Sequence, residues 1–136
     1  MYRCQAGFAA QRMVLANDGM TNALPRELLR GSLDLMILSA LLDEPKYGYL
    51  IQQRIALASA GQVKLQAGTL YPLLHRLEAD KVIRSRWDDA TGRRRKWYEL
   101  TAAGRRRLRH DALQWRRYVE CLQSLLAPVL GPPEPA

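Results

Sequence analysis

Apolar residues along the chain fall into three helical stripes, one short β-rich stretch and a long seam. The first stripe runs from about Leu28 to Leu42, with Leu29, Leu33, Met36, Ile37, Ala40 and Leu41 at helical spacing. Gly31-Ser32 offers either a cap or a weak first turn, and Asp43-Glu44-Pro45 stops the helix, because the residue before a proline avoids the α region. Tyr47-Gly48-Tyr49 opens a second helix that carries Leu50, Ile51, Ile55 and Ala58 and closes near Ser59-Ala60-Gly61. Val63-Lys64-Leu65 is a short extended piece. The third stripe, Leu70, Leu73, Leu74 and Leu77, recurs at i, i+3, i+4 and i+7 and predicts a helix over about 68–80. Pro72 is expected near its start, where a missing N–H costs little.

A rotation of about 100° per residue places Thr69, Pro72, His75 and Arg76 opposite those leucines, with Tyr71 and Glu78 at the flank. That outer face is polar, short-armed and mildly basic. Such a helix lies in a groove of nucleic acid while its leucines hold it to a small core. Val82 to Trp87 is then rich in β-formers, Asp88-Asp89-Ala90-Thr91-Gly92 reads as a turn, and Lys96-Trp97-Tyr98-Glu99-Leu100 is a returning strand. The return opens with Arg93, Arg94, Arg95 and Lys96, so the hairpin over about 88–96 fits a wing laid along a phosphate backbone. Three helices followed by a basic hairpin predict a mainly α chain of winged helix-turn-helix type.

Thr101 is placed to cap a last helix. Within it Leu108, Ala112, Trp115, Val119, Leu122, Leu126 and Val129 alternate by four and three until Pro128 interferes. A heptad seam on a terminal helix suggests pairing with a second copy; packing back onto its own domain is the alternative, and the two are compatible. The expected organisation is a disordered arm over 1–24, a DNA-binding domain over 25–101, a dimerisation helix over 102–128 and a disordered tail over 129–136. Met13 and Met20 leave room for a later start within the arm.

Composition sharpens this reading in one respect. The 136 residues carry 21 lysines and arginines against 13 acids, a net charge of +8. Eight basic residues against one acid, +7, fall between Arg93 and Arg109, so nearly the whole excess sits on the wing and the start of the last helix. A charge run is often only a solvated face, but this one favours double-stranded DNA as partner, through phosphate neutralisation and counterion release. Cys4 and Cys121 show neither metal nor redox spacing, so two free thiols in a reducing cytoplasm are expected. No apolar run reaches the roughly 18 residues of a membrane span, and Gln11-Arg12 breaks any export-type apolar stretch. His75, His110, Cys4 and Cys121 lack zinc-ligand spacing, and neither a Gly-rich phosphate loop nor a GxSxG elbow is present. Asp88-Asp89 sit in a turn beside arginines, where solvent explains them. No catalytic residue, metal or cofactor is expected.

Leu29-Arg30-Gly31-Ser32-Leu33-Asp34-Leu35, Tyr47-Gly48-Tyr49, and Gly68-Thr69-Leu70-Tyr71-Pro72 with Leu74, Arg76-Leu77-Glu78 and Ile83 resemble the PadR family of bacterial transcriptional regulators. Arg95-Lys96-Trp97-Tyr98-Glu99-Leu100-Thr101 with Gly104-Arg105 is similar to its hairpin-to-helix signature. The resemblance spans roughly Leu24 to Leu126. Two departures stand out: Lys81 occupies a position commonly glycine in that family, which bears on the sharpness of the turn, and Trp97 replaces a frequent tyrosine. A single long last helix matches the family's short form.

The resemblance implies a homodimeric DNA-binding repressor whose C-terminal helices form the dimer. It places Thr69, Tyr71, Pro72, His75 and Arg76 toward the major groove and Arg93, Arg94, Arg95 and Lys96 on the flanking backbone. Arg76 is the expected base reader or phosphate clamp. Tyr71 either donates to a phosphate or packs its ring between helices. Leu108, Ala112, Trp115, Val119, Leu122 and Leu126 would form the dimer interface. Because some members respond to aromatic small molecules held there, Trp115 and Tyr118 are the candidate effector residues, with plain packing as the alternative. A winged helix serving protein or RNA contact, without an operator, is the competing function.

Overall fold

The computed structural model describes residues 24–25, 29–89 and 92–131. The expected arm, apart from Leu24, and the tail beyond Gly131 lie outside those residues. Helices α1 (Leu33–Ala40), α2 (Gly48–Ala58) and α3 (Ala67–Ala79) are followed by a hairpin and the long helix α4 (Ala102–Leu130). A two-residue strand β1 (Lys46–Tyr47) precedes α2, and the hairpin strands are β2 (Ile83–Asp88) and β3 (Arg95–Leu100). The sheet is antiparallel with order β1-β3-β2. The described residues up to Ala112 form one compact unit and those from Leu113 onward belong to another.

Helix α1 is shorter than its apolar stripe. Gly31 adopts φ +91°, a left-handed conformation that no helix can run through, so Leu29 to Ser32 close a separate turn. Ser32 seals that turn by donating both its backbone N–H and its hydroxyl to the Leu29 carbonyl, at 3.0 and 2.9 Å. At the other end Leu41 and Leu42 continue only as i→i−3 turns before Pro45.

Helix α3 starts one residue earlier than expected, and Pro72 lies in its second turn. There its absent N–H removes the bond that the Gly68 carbonyl would otherwise accept. The helix survives because Leu70, Leu74 and Leu77 are fully buried, each worth roughly 1.5–3 kcal/mol. Ile37, Leu38 and Leu41, Ile51 and Ile55, Val63 and Leu65, and Ile83, Tyr98 and Leu100 complete that core. Leu108 joins it as well: expected at the head of the seam, it is buried within its own domain.

Lys81 stands where a glycine would be at ease. It takes φ +64°, and the Lys81 and Val82 amides donate back to the Glu78 and Leu77 carbonyls at 2.9 and 3.2 Å. This is a Schellman closure of α3, and Leu77 and Val82 are both buried in the core. The turn is therefore sharp despite its lysine. Thr101 then locks the next helix to it: its hydroxyl donates to the Lys81 carbonyl at 2.7 Å and accepts from the Gly104 amide at 3.0 Å, the N-cap pattern. A Cβ on Gly104 would run into the Val82 carbonyl, so only glycine lets α4 start this close.

Helix α4 passes through Pro128 and ends at Leu130, two residues beyond the expected stop. So near the end of a helix, one absent N–H is no barrier to the final turn. From Leu113 onward Leu113, Tyr118, Val119, Leu125, Leu126, Val129 and Leu130 are exposed, while Trp115 and Leu122 are half-buried. No described helix is long and apolar enough to cross a membrane.

Candidate nucleic-acid interface

The exposed side of α3 borders a groove of about 760 Å³ whose other walls are the start of α2 and the basic hairpin. Tyr71 and His75 face it from α3, Tyr47 and Tyr49 from the β1–α2 junction, and Trp87 with Arg93 to Lys96 from the hairpin. The register explains why Trp87 and Lys96 are among them. Trp87 pairs with Lys96 and Ser85 with Tyr98, so these four side chains share the face that Ile83 and Leu100 turn toward the core.

Tyr71 settles against α2. A Cβ built on Gly48 would collide with the Tyr71 hydroxyl and ring, so the glycine of Tyr47-Gly48-Tyr49 is the seat of that ring. Tyr71 keeps 41 % of its surface exposed, so it both packs between helices and presents an edge to the groove.

The cations of the wing are held on aromatic faces. The Arg94 guanidinium lies 4.4 Å from the Trp87 ring centroid and that of Arg95 lies 4.4 Å from the Tyr47 ring. Tyr47 in turn meets Trp97 edge-on at 5.0 Å. Stacking engages the flat face of a guanidinium and leaves its in-plane N–H donors available. Lys96 is more committed: its ammonium sits between Trp87 and Tyr98, at 5.8 and 5.9 Å, and 3.9 Å from Glu78, whose carboxylate also accepts from the Ser85 hydroxyl at 2.6 Å. Burial, with Glu78 and Tyr71 nearby, raises the Tyr98 phenol above its usual value. On the opposite face the Arg84 guanidinium donates to Glu99 at 2.6 Å and holds that carboxyl below the ordinary range.

Arg76 and Thr69 lie elsewhere. Arg76 is turned to the α1 side of α3, where its Nη2 donates to Asp34 Oδ1 at 2.7 Å while half its side chain stays exposed. Thr69 borders a small cleft with Leu29, Leu33 and Leu65. Pro72 is exposed on the outer face of α3. The expected set thus divides: Tyr71, His75 and Arg93 to Lys96 share one groove, and Arg76 and Thr69 stand on the far flank. Tyr47, Tyr49 and Trp87 were missing from that set. The hairpin's two-residue alternation, counted from Ile83, would have brought Trp87 into it. Trp115 and Tyr118, one turn apart on α4, meet edge-to-face at 5.3 Å. Among the described residues no three His, Cys, Asp or Glu side chains are placed to share a metal ion.

Residues 37–110 match the transcriptional regulator PadR-like family. A transcriptional regulator of Mycobacterium tuberculosis is 38 % identical over 106 residues, covering 78 % of this chain and 90 % of its own. The crystal structure of a PadR family transcriptional regulator from Eggerthella lenta superposes with a TM-score of 0.64 at 39 % identity, over 74 % of this chain and 86 % of the other. A transcriptional regulator from Clostridium thermocellum gives a TM-score of 0.64 at 27 % identity, over 76 % and 97 %. With its winged helix, cationic groove and family match taken together, the chain belongs to the PadR-like family of transcriptional regulators and is a DNA-binding regulator, not an enzyme.

Proposed function

We propose that the chain acts as a homodimeric repressor in the bacterial cytoplasm, bound to a pseudo-palindromic operator. Helix α3 enters the major groove with Thr69, Tyr71, Pro72, His75 and Arg76, and the wing follows the adjoining backbone with Arg93, Arg94, Arg95 and Lys96. The observation that carries this reading is the pair of arginines stacked on Trp87 and Tyr47 beside the exposed side of α3. They are cations pre-positioned by rings, with hydrogen-bond donors left for phosphate oxygens. Dimerisation runs through α4 from Ala112 onward, where Ala112, Trp115, Val119, Leu122 and Leu126 continue the heptad seam past the buried Leu108. The large apolar side chains exposed along that one helix are a surface of the kind a second copy covers. The Trp115–Tyr118 pair is the place this seam offers to an aromatic effector.

The test is a salt series. Arg94→Ala should flatten the dependence of log K on log salt by about 1.8 for the dimer, the share of one neutralised phosphate on each protomer. An unchanged slope, with Arg93→Ala and Arg95→Ala behaving alike, would mean that the wing stays off DNA.

A further inference from the structure

We propose that Asp34 sets the sequence selectivity of this interface, by neutralising Arg76 toward phosphates and orienting its remaining donors. This rests on the reading of α3 and the wing as the DNA-contacting elements. Asp34 lies in the first turn of α1, an isolated acid within an apolar helix, with 19 % of its side chain exposed. Both of its oxygens are taken. Oδ1 accepts from Arg76 Nη2 at 2.7 Å and Oδ2 from Arg107 Nη2 at 3.1 Å. Arg107, at the base of α4, also faces Asp111 Oδ2 at 3.4 Å and Asp80 Oδ2 at 3.8 Å. Two guanidiniums and three carboxylates make this cluster net −1, on a chain whose total is +8.

The two flanks of α3 are therefore built on opposite terms. On the wing side Arg94 and Arg95 rest on neutral rings. On the α1 side Arg76 shares its charge with a carboxylate that a second arginine holds in place. An arginine already paired with an acid has little net charge with which to displace the counterions condensed on a phosphate, so it adds little to binding of arbitrary sequence. Its guanidinium still carries N–H groups that Asp34 does not use, and more than half of the side chain is exposed. Fixed through one edge, the other edge can address only an acceptor pair in the matching place, such as guanine O6 and N7. Arg107 links this bracket to α4, so the helix that leads into the dimer seam also holds the residue that aims the reader.

The experiment compares binding of the full-length protein to its own upstream fragment and to a scrambled duplex of equal length, across a salt series. Asp34→Asn keeps the shape and an acceptor but removes the charge. Scrambled-duplex binding should tighten about thirtyfold near 0.15 M salt and its slope should steepen by about 1.8, the effect of one more neutralised phosphate on each protomer of the dimer. Upstream-fragment affinity should change less than about twofold, so selectivity falls. In an Arg76→Ala background the same substitution should leave the slope alone, and Asp34→Glu should restore wild-type selectivity. An unchanged slope in folded Asp34→Asn, or an increment that persists without Arg76, overturns the proposal. Should Asp34→Asn fail to fold, Arg76→Ala decides alone. Its non-specific slope should match the wild type while Arg94→Ala flattens; equal flattening overturns the proposal. If the wild type binds neither duplex, the DNA-contact reading itself falls, and this inference with it.

Discussion

Gly48 seats Tyr71, and replacing it tests the geometry of the groove from underneath. Gly48 is the first residue of α2 and has no left-handed φ, so alanine there meets an obstacle of space alone. The new methyl would overlap the Tyr71 hydroxyl and ring, so the ring must swing outward. Overpacking of this kind costs about 1–3 kcal/mol. Tyr71 is 41 % exposed and has somewhere to go, which sets the expectation at about 1–2 kcal/mol. In a Tyr71→Ala background the obstacle is gone and Gly48→Ala should be neutral or gain up to about 1 kcal/mol of helix propensity. The two substitutions should therefore couple by about 1–3 kcal/mol, measured by urea denaturation of the four proteins at one concentration. Because the displaced ring lines the groove, Gly48→Ala should weaken operator binding as well. Free energies that add to within about 0.5 kcal/mol would refute the seat.

Lys81→Gly should stabilise the protein by about 0.5–1 kcal/mol, since a left-handed lysine costs about 1–2 kcal/mol and glycine returns part of that as unfolded-chain entropy; an unshifted urea midpoint would contradict it. Gly104→Ala should cost about 3 kcal/mol, because its methyl meets the Val82 backbone carbonyl and not a side chain free to turn away; thermal melting reads this directly. Arg84 holds the Glu99 carboxyl below its unfolded value of 4.5. Its contribution is thus present above that pH and fades as pH falls through the lower folded value. Glu99→Gln should accordingly narrow the stability difference between neutral and acidic solution, and an acid limb identical to the wild type would show the ion pair contributes nothing.

Elements with many buried residues at one period were the legible ones. Leu70, Leu74 and Leu77 lie within a helix that starts one residue before its expected first position, and the hairpin strands Ile83–Asp88 and Arg95–Leu100 fall within a residue of the expected runs. Strand β1 was not legible, because two residues carry no period and Lys46-Tyr47 needs β3 beside it to be a strand at all. The start of α1 turned on Gly31, whose φ is set by the chain around it. Of the site, the cations and Tyr71 could be read from residue type and spacing. What they rest on could not: the ring under Arg94 lies across the hairpin on β2, and the ring under Arg95 belongs to β1, paired beside β3. The bracket of Asp34 with Arg76 and Arg107 joins three elements far apart in sequence. Its one sequence signal is an acid inside the apolar run Leu33-Asp34-Leu35-Met36-Ile37-Leu38, a residue that needs a partner if it is not to be buried alone.

Paired readers held by a common seam make one demand on DNA that single winged helices do not. Hydroxyl-radical footprinting of the protein on its own upstream region should show two protected patches related by a dyad, with centres one helical turn, about 10 bp, or a whole multiple of that apart. A single patch, or protection without two-fold symmetry, would contradict the dimeric operator-binding account.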